Sequence, residues 1–193
     1  MRHTEYFYRC SPEYLNLLDG QLRDEVLEVV ARLKPRRTQA EVNQDLTWLF
    51  ASRGWSFSSF PPAMPDTPRA DLEMMRVSKE GLTPQRSSQA CLASSTLEHR
   101  WIADFAKQFG LHRVYLEAQF GKKEAAVMDF CKLQIAYYER HMSLGIVILL
   151  EDPGSFFGHR RASVAGMASF APAKELLPII GLECPIWLIG ISG

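Results

Sequence analysis

No run of 18 apolar residues occurs anywhere in this chain, so nothing in it reads as a transmembrane helix. The opening residues Met1-Arg2-His3-Thr4-Glu5 lack the apolar stretch of a secretory signal, and a soluble, cytoplasmic protein without membrane partners is expected. Cysteine is sparse. Cys10, Cys91, Cys131 and Cys184 lie 40 to 81 residues apart, with no CxxC pair and no matching histidine cluster. That excludes a disulfide scaffold and disfavours structural zinc, leaving reduced, mostly buried thiols. Net charge is absent too, because 22 basic and 22 acidic residues cancel; a protein living on non-specific phosphate attraction would be basic. The histidines His99, His112, His141 and His159 have no i,i+4 partner and no Ser/Asp context, so none reads as the base of a nucleophile. Repeats and low-complexity tracts are missing as well.

What is present suits one core of ordinary size, with 47% hydrophobic residues in 193, and a single domain over residues 1–193. From Pro12 to Arg32 an apolar stripe of Leu15, Leu18, Leu22, Val26, Val29 and Val30 predicts an amphipathic helix or helix pair, stopped by Pro35. Gln39 to Arg53 reads as a second helix with Gly54 at its C-cap, followed by a short strand at Trp55-Ser56-Phe57. The proline-rich stretch from Pro61 to Pro68 is a loop. Helix is expected around Leu72 to Val77, and mobility around Thr83 to Ser88. Lys123 to Met142 reads as a helix. Ile146 to Leu150 and Ile186 to Ile191 are continuous apolar runs of strand length, fit for central strands covered on both faces. Met167-Ala168-Ser169-Phe170 precedes a proline-interrupted helix. Alternating helices and buried strands imply an α/β sandwich with a central mixed β-sheet flanked by helices on both faces.

The segment that carries chemistry is Val114-Tyr115-Leu116-Glu117-Ala118-Gln119-Phe120-Gly121-Lys122. Strand alternation sends Val114, Leu116, Ala118 and Phe120 to one face and Arg113, Tyr115, Glu117 and Gln119 to the other. Glu117 and Gln119 then stand about 7 Å apart on one face, from two residues of rise. A carboxylate so placed can hold a hard divalent cation, with the Ala118 carbonyl and one more acid completing the site. Asp104 is the nearest upstream acid.

Asp104…Glu117-Ala118-Gln119 resembles the core of PD-(D/E)xK nucleases in a variant where the usual lysine is a glutamine. The extended string Glu117-Ala118-Gln119-Phe120-Gly121-Lys122, then Asp129-Phe130, a helical run to His141 and Gly145-Ile146-Val147-Ile148 is similar to the central block of the BglII, BstYI and BamHI-like group of type II restriction endonucleases. Gly54-Trp55 and Pro185 to Ile191 also resemble segments of that group. The resemblance implies a restriction-endonuclease-like fold and a homodimer that cuts double-stranded DNA at a short palindrome, with a GATC-like core and 5′ extensions. It also implies a cognate DNA methyltransferase encoded nearby and magnesium (Mg2+) as cofactor. Asp104, Glu117 and Ala118 would hold the metal, with Asp104, Glu117 and Gln119 as the catalytic set. Gln119 is neutral and cannot act as a base, so its expected part is to orient a water or touch the metal.

Twelve residues, Phe105 to Leu116, separate the two acids, a gap a few residues longer than the resembling enzymes show. Two arrangements are open. A hairpin with its tip at Gln108-Phe109-Gly110 would bring Asp104 to Glu117; a helix over Leu97 to Phe109 would leave Asp104 an ordinary solvated acid, with Glu98 as the alternative ligand. Asp129 reads as a macrodipole partner or local salt-bridge former rather than a third ligand. Lys122 and Lys123, beside the strand, are candidate DNA contacts, as are Arg160 and Arg161. Ser169 either contacts a base edge or caps its helix. The alternatives to a restriction enzyme are an inactive DNA-binding protein on the same scaffold and a monomeric repair nuclease.

Overall fold

The computed structural model describes residues 1–55, 103–157, 164 and 166–193. The expectations at Ser56-Phe57, at 61–68, 72–77 and 83–88, and for Cys91, Glu98, Arg160 and Arg161, lie outside those residues. Five strands form one sheet in the order β1-β5-β4-β3-β2: β1 is Arg2–Tyr8, β2 Phe105–Phe109, β3 His112–Gln119, β4 Leu144–Leu150 and β5 Ile186–Ser192. The inner three run parallel, and the two outer strands are antiparallel to their neighbours.

The hydrophobic pattern explains this order. Every residue of β4 is buried, and β5 is buried up to Ile191, as continuous apolar runs in the middle of a two-sided sheet require. β1 is absent from the sequence-based expectations, because Arg2-His3-Thr4-Glu5 at its start is polar, and its first three residues are exposed. Charged residues suit an edge strand, where they discourage pairing with another chain. Its inner half is secured by Phe7, whose ring stacks at 6.0 Å on its register partner, the buried Trp187. Such a cross-strand aromatic pair contributes roughly 0.2–1 kcal/mol.

Among the described residues three helices cover one face: α1 (Pro12–Leu18), α2 (Leu22–Arg32) and α3 (Gln39–Ala51). Their apolar sides pack with Val114, Leu116, Ala118 and Phe120 in one cluster. Ser11 caps α1 ahead of Pro12, and Thr38 with Glu41 forms a capping box on α3. At the other end Gly54, with φ +78°, closes α3: its N–H reaches Ala51 O and that of Trp55 reaches Phe50 O, the paired bonds of a Schellman motif.

The opposite face carries α4 (Lys123–Tyr138) and α6 (Phe170–Ile180), with the short α5 (Pro153–Phe157) leading from β4 toward α6. Here Tyr115, Val147 and Leu188 meet Phe130, Leu133 and Leu177. A Cβ on Gly145 would come within 2.8 Å of Leu133 Cδ1, so the bare backbone there lets α4 lie close against the sheet. Helix α4 ends earlier than the expected Met142. Arg140 adopts φ +60°, and the N–H groups of Arg140 and His141 turn back to Tyr137 O and Ala136 O. A left-handed arginine, where glycine is usual, does in this place what Gly54 does for α3.

Candidate active site

The gap between the two acids resolves as a hairpin. β2 and β3 pair from Phe105↔Leu116 to Phe109↔His112, leaving Gly110-Leu111 as a two-residue loop one step beyond the expected tip. Gly110 has φ +57°, the conformation a tight hairpin asks of glycine at the first central position. The helical alternative for Leu97 to Phe109 fails over 105–109, which is strand.

Because the β2–β3 ladder stops at Phe105↔Leu116, the edge of β3 at Glu117-Ala118-Gln119 would be bare on that side. Asp104 fills the place. Its Oδ2 accepts the Ala118 N–H at 2.9 Å, while the Asp104 N–H donates to Glu117 Oε2 at 3.4 Å. A strand residue's N–H and C=O point to the same side, so the Ala118 carbonyl faces the edge where Asp104 sits. Asp104, Glu117 and Ala118 are thus brought together.

Glu117 is only 2% exposed. Burial pushes its carboxyl well above the ordinary carboxylate value, and the nearby Asp129 and Asp104 add to the push against the pull of Lys132. Burial likewise raises Asp104 to about 6, although Lys132 and the Ala118 N–H favour its ionised form. The rest of the surroundings come from α4, whose one face puts Asp129 and Lys132 over the strand. Lys132 Nζ lies 2.7 Å from Glu117 Oε1 and 2.7 Å from Asp129 Oδ1. Burial alone would lower the Lys132 ammonium, yet Glu117, Asp129 and Asp104 raise it above the usual lysine value.

Gln119 is engaged at both ends of its amide. Its Nε2 donates to Asp129 Oδ2 at 2.5 Å and its Oε1 accepts the Gly121 N–H at 2.8 Å. The expected water-orienting amide therefore also anchors Asp129. That acid is buried and well inside α4, so the expected macrodipole role gives way to the salt bridge with Lys132. Sequence reasoning missed Lys132 altogether. The available signal was modest: Asp129 and Lys132 are spaced i,i+3 and flank the core residues Phe130 and Leu133, which turns both toward the sheet.

Counted as ions among the described residues, Asp104, Glu117 and Asp129 against Lys132 leave two uncompensated negative charges in a largely buried cluster. Among the described residues no three His, Cys, Asp or Glu side chains converge into a self-sufficient metal cage. Two carboxylates, a carbonyl and a charge of minus two nevertheless suit a hard divalent cation, which takes oxygen ligands and keeps waters or substrate oxygens for the remainder.

Of the expected DNA contacts, Lys122 and Lys123 stand at the start of α4 and Ser169 precedes α6 without a side-chain capping bond. A bridge between Lys122 and Met167 and the hydrogen bond from Ala168 N–H to Gly121 O join the two places. Lys123 and Ser169 then line one cavity of about 310 Å³ between the helices.

A mixed five-stranded sheet with helices on both faces and paired acids where a hairpin forks has the architecture of a restriction-endonuclease-like nuclease. The model of the family described as restriction endonuclease BglII/BglIII matches residues 4–191, and the chain belongs to that family. It is accordingly a site-specific deoxyribonuclease that acts on DNA. Its fold is similar to that of restriction endonuclease BglII crystallised with a DNA 16-mer, at a TM-score of 0.58 and 14% identity, over 98% of this chain and 76% of that one. No curated protein matches the sequence.

Proposed function

We propose that the chain is a type II restriction endonuclease that hydrolyses double-stranded DNA within a short palindrome, possessing a GATC-like core, with magnesium as cofactor. The observation that supports this reading most is the junction of Asp104 with Ala118 and Glu117 at the open edge of β3. Asp104, Glu117 and the Ala118 carbonyl would hold the ion, which supplies a polarised phosphoryl oxygen and a water of lowered pKa when bound. The protein's own residues do the rest. Burial keeps bulk water from Glu117 and Asp129, Gln119 fixes Asp129 and the turn at Gly121, and the hairpin ladder sets the distance between the Asp104 and Glu117 carboxylates.

Lys122 and Lys123 follow the strand directly and start a 16-residue helix, whose N-terminus favours a phosphate. Lysine also donates to guanine O6 or N7 in the major groove. With Ser169, Arg160 and Arg161 they form the proposed DNA surface. A palindrome is matched by two-fold symmetry, so the working form is a homodimer of chains that each make one domain over residues 1–193. Such an enzyme acts in the cytoplasm beside the host chromosome, which a methyltransferase encoded nearby must protect. Among the described residues no helix is long and apolar enough to cross a membrane.

Incubation with plasmid and magnesium tests the proposal. Discrete, reproducible fragments are expected. A gel shift without cutting would replace this reading with a DNA-binding protein, and nicking independent of sequence would replace it with a repair nuclease.

A further inference from the structure

Lys132 belongs to none of the motifs that led to the site, yet it touches two of its acids. Its side chain is 17% exposed, against 3% for Glu117 and 9% for Asp129, which separates this trio from a surface ion pair. Among the described residues Glu117 Oε1 accepts no hydrogen bond apart from the Lys132 ion pair. Gln119, meanwhile, uses its amide N–H on Asp129, the acid that steers the ammonium from the other side.

We propose that Lys132 is a positioning residue of the nuclease site: from α4 it supplies the positive charge that β3 lacks at position 119. The proposal rests on the reading of Asp104 and Glu117 as the cation-binding acids. Position 119 lies on the same strand face as Glu117, so an ammonium there would reach the same acids. In this chain the two side chains have exchanged places: the amide comes from the strand, the ammonium from the helix, and Asp129 joins them. The exchange has an electrostatic effect. With Lys132 the cluster carries minus two, which one divalent ion balances; without it, minus three. It also has a geometric effect, because an ammonium on Oε1 leaves Oε2 to face Asp104.

The test uses the full chain, with plasmid cleavage in magnesium and calcium titration of the DNA-free protein by calorimetry. Lys132→Gln should lower kcat about 100-fold with KM for DNA nearly unchanged, the upper range for a group that orients a ligand. It should bind calcium about tenfold more tightly, because the competing ammonium is gone and the cluster is more negative. The exchange variant Gln119→Lys with Lys132→Gln keeps every charge and should regain cleavage to within about tenfold of the parent, and calcium affinity with it. A folded exchange variant as inactive as Lys132→Gln would overturn the proposal. So would Lys132→Gln with parental kcat and calcium affinity. Should Lys132→Gln fail to fold, the exchange variant alone decides. Should the parent cut no DNA, the nuclease reading fails, and the calcium affinities still judge Lys132: tighter binding by Lys132→Gln upholds its placement on the acids, and equal binding refutes it.

Discussion

Two lysines, Lys107 and Lys132, reach inward to acids, the first in a partly buried cluster and the second in a largely buried one, and the contrast between them separates architecture from chemistry. Lys107, on β2, touches both oxygens of Glu25 at 2.8 and 2.7 Å and the Arg53 carbonyl at 2.9 Å. Each of its three N–H groups has an acceptor, and its charge meets one opposite charge. Glu25 also accepts the Trp55 indole N–H at 2.5 Å. The cluster ties α2, the end of α3 and β2 together and is electrically closed. Lys132 meets Glu117 and Asp129, with Asp104 alongside, and its cluster stays two charges short of neutral. A balanced pair fastens a fold. An unbalanced one supports the proposed cation site.

The sharpest way to break this contrast is to remove one acid from the unbalanced cluster. Glu117→Ala should lower DNA cleavage by about three orders of magnitude or more, as expected when a metal ligand is lost, while binding of the target site, read by fluorescence anisotropy in calcium, stays within about tenfold. Normal turnover would move Glu117 into the same class as Glu25. Lys107→Met should do the opposite. Stranding Glu25, in a pair 20% exposed, costs up to about 3 kcal/mol, the lower end for a broken buried pair, or up to about 10 °C in Tm for a chain of this length. The folded fraction should then cleave as the parent does.

A third measurement uses pH. Folded Asp104 keeps its proton up to about 6, whereas the ordinary value is 3.8. Between those values the folded chain binds more protons than the unfolded one, so stability falls as pH rises through the window. Asp104's share of the loss is about 3 kcal/mol and is complete above pH 7. Thermal melts of the metal-free protein should show this slope, to which the raised Glu117 carboxyl adds, and Asp104→Asn should make it shallower. Calcium should restore stability at pH 7.5 and much less at pH 5, because binding requires the ionised acids; an equal calcium effect at both values would separate Asp104 from the cation. The smallest effect concerns the DNA surface. Lys122→Ala should lose about 1–3 kcal/mol of discrimination at one base pair. Uniform weakening on all sequences, with a smaller salt slope, would make Lys122 a phosphate contact.

These residues were not equally legible in the sequence. β4 and the core of β5 were plain because an unbroken apolar run has one stable place in such a sheet. Glu117 stood out because period two put it beside Gln119 on a face away from Leu116 and Ala118. β1 escaped because only half of it is apolar and its pairing with β5 joins opposite ends of the chain. The end of α4 escaped because an arginine, not a glycine, takes the left-handed position. Lys132 escaped for a different reason. Its neighbours in sequence say that it faces the sheet, but only the packing of α4 over β3 says which acids lie beneath it.

The hairpin also settles what the twelve-residue gap between the acids means. Asp104 and Glu117 lie one position outside a ladder of five residue pairs, at the end opposite the loop. Adding or deleting one residue on each arm moves the loop by about 3.4 Å and leaves the facing acids where they are. The chain distance between them is thus free to drift in steps of two, by growth at a tip where Leu111 is 95% exposed. A change of one residue on a single arm would instead turn one acid away from the other. Parity, rather than length, is the geometric constraint on this segment.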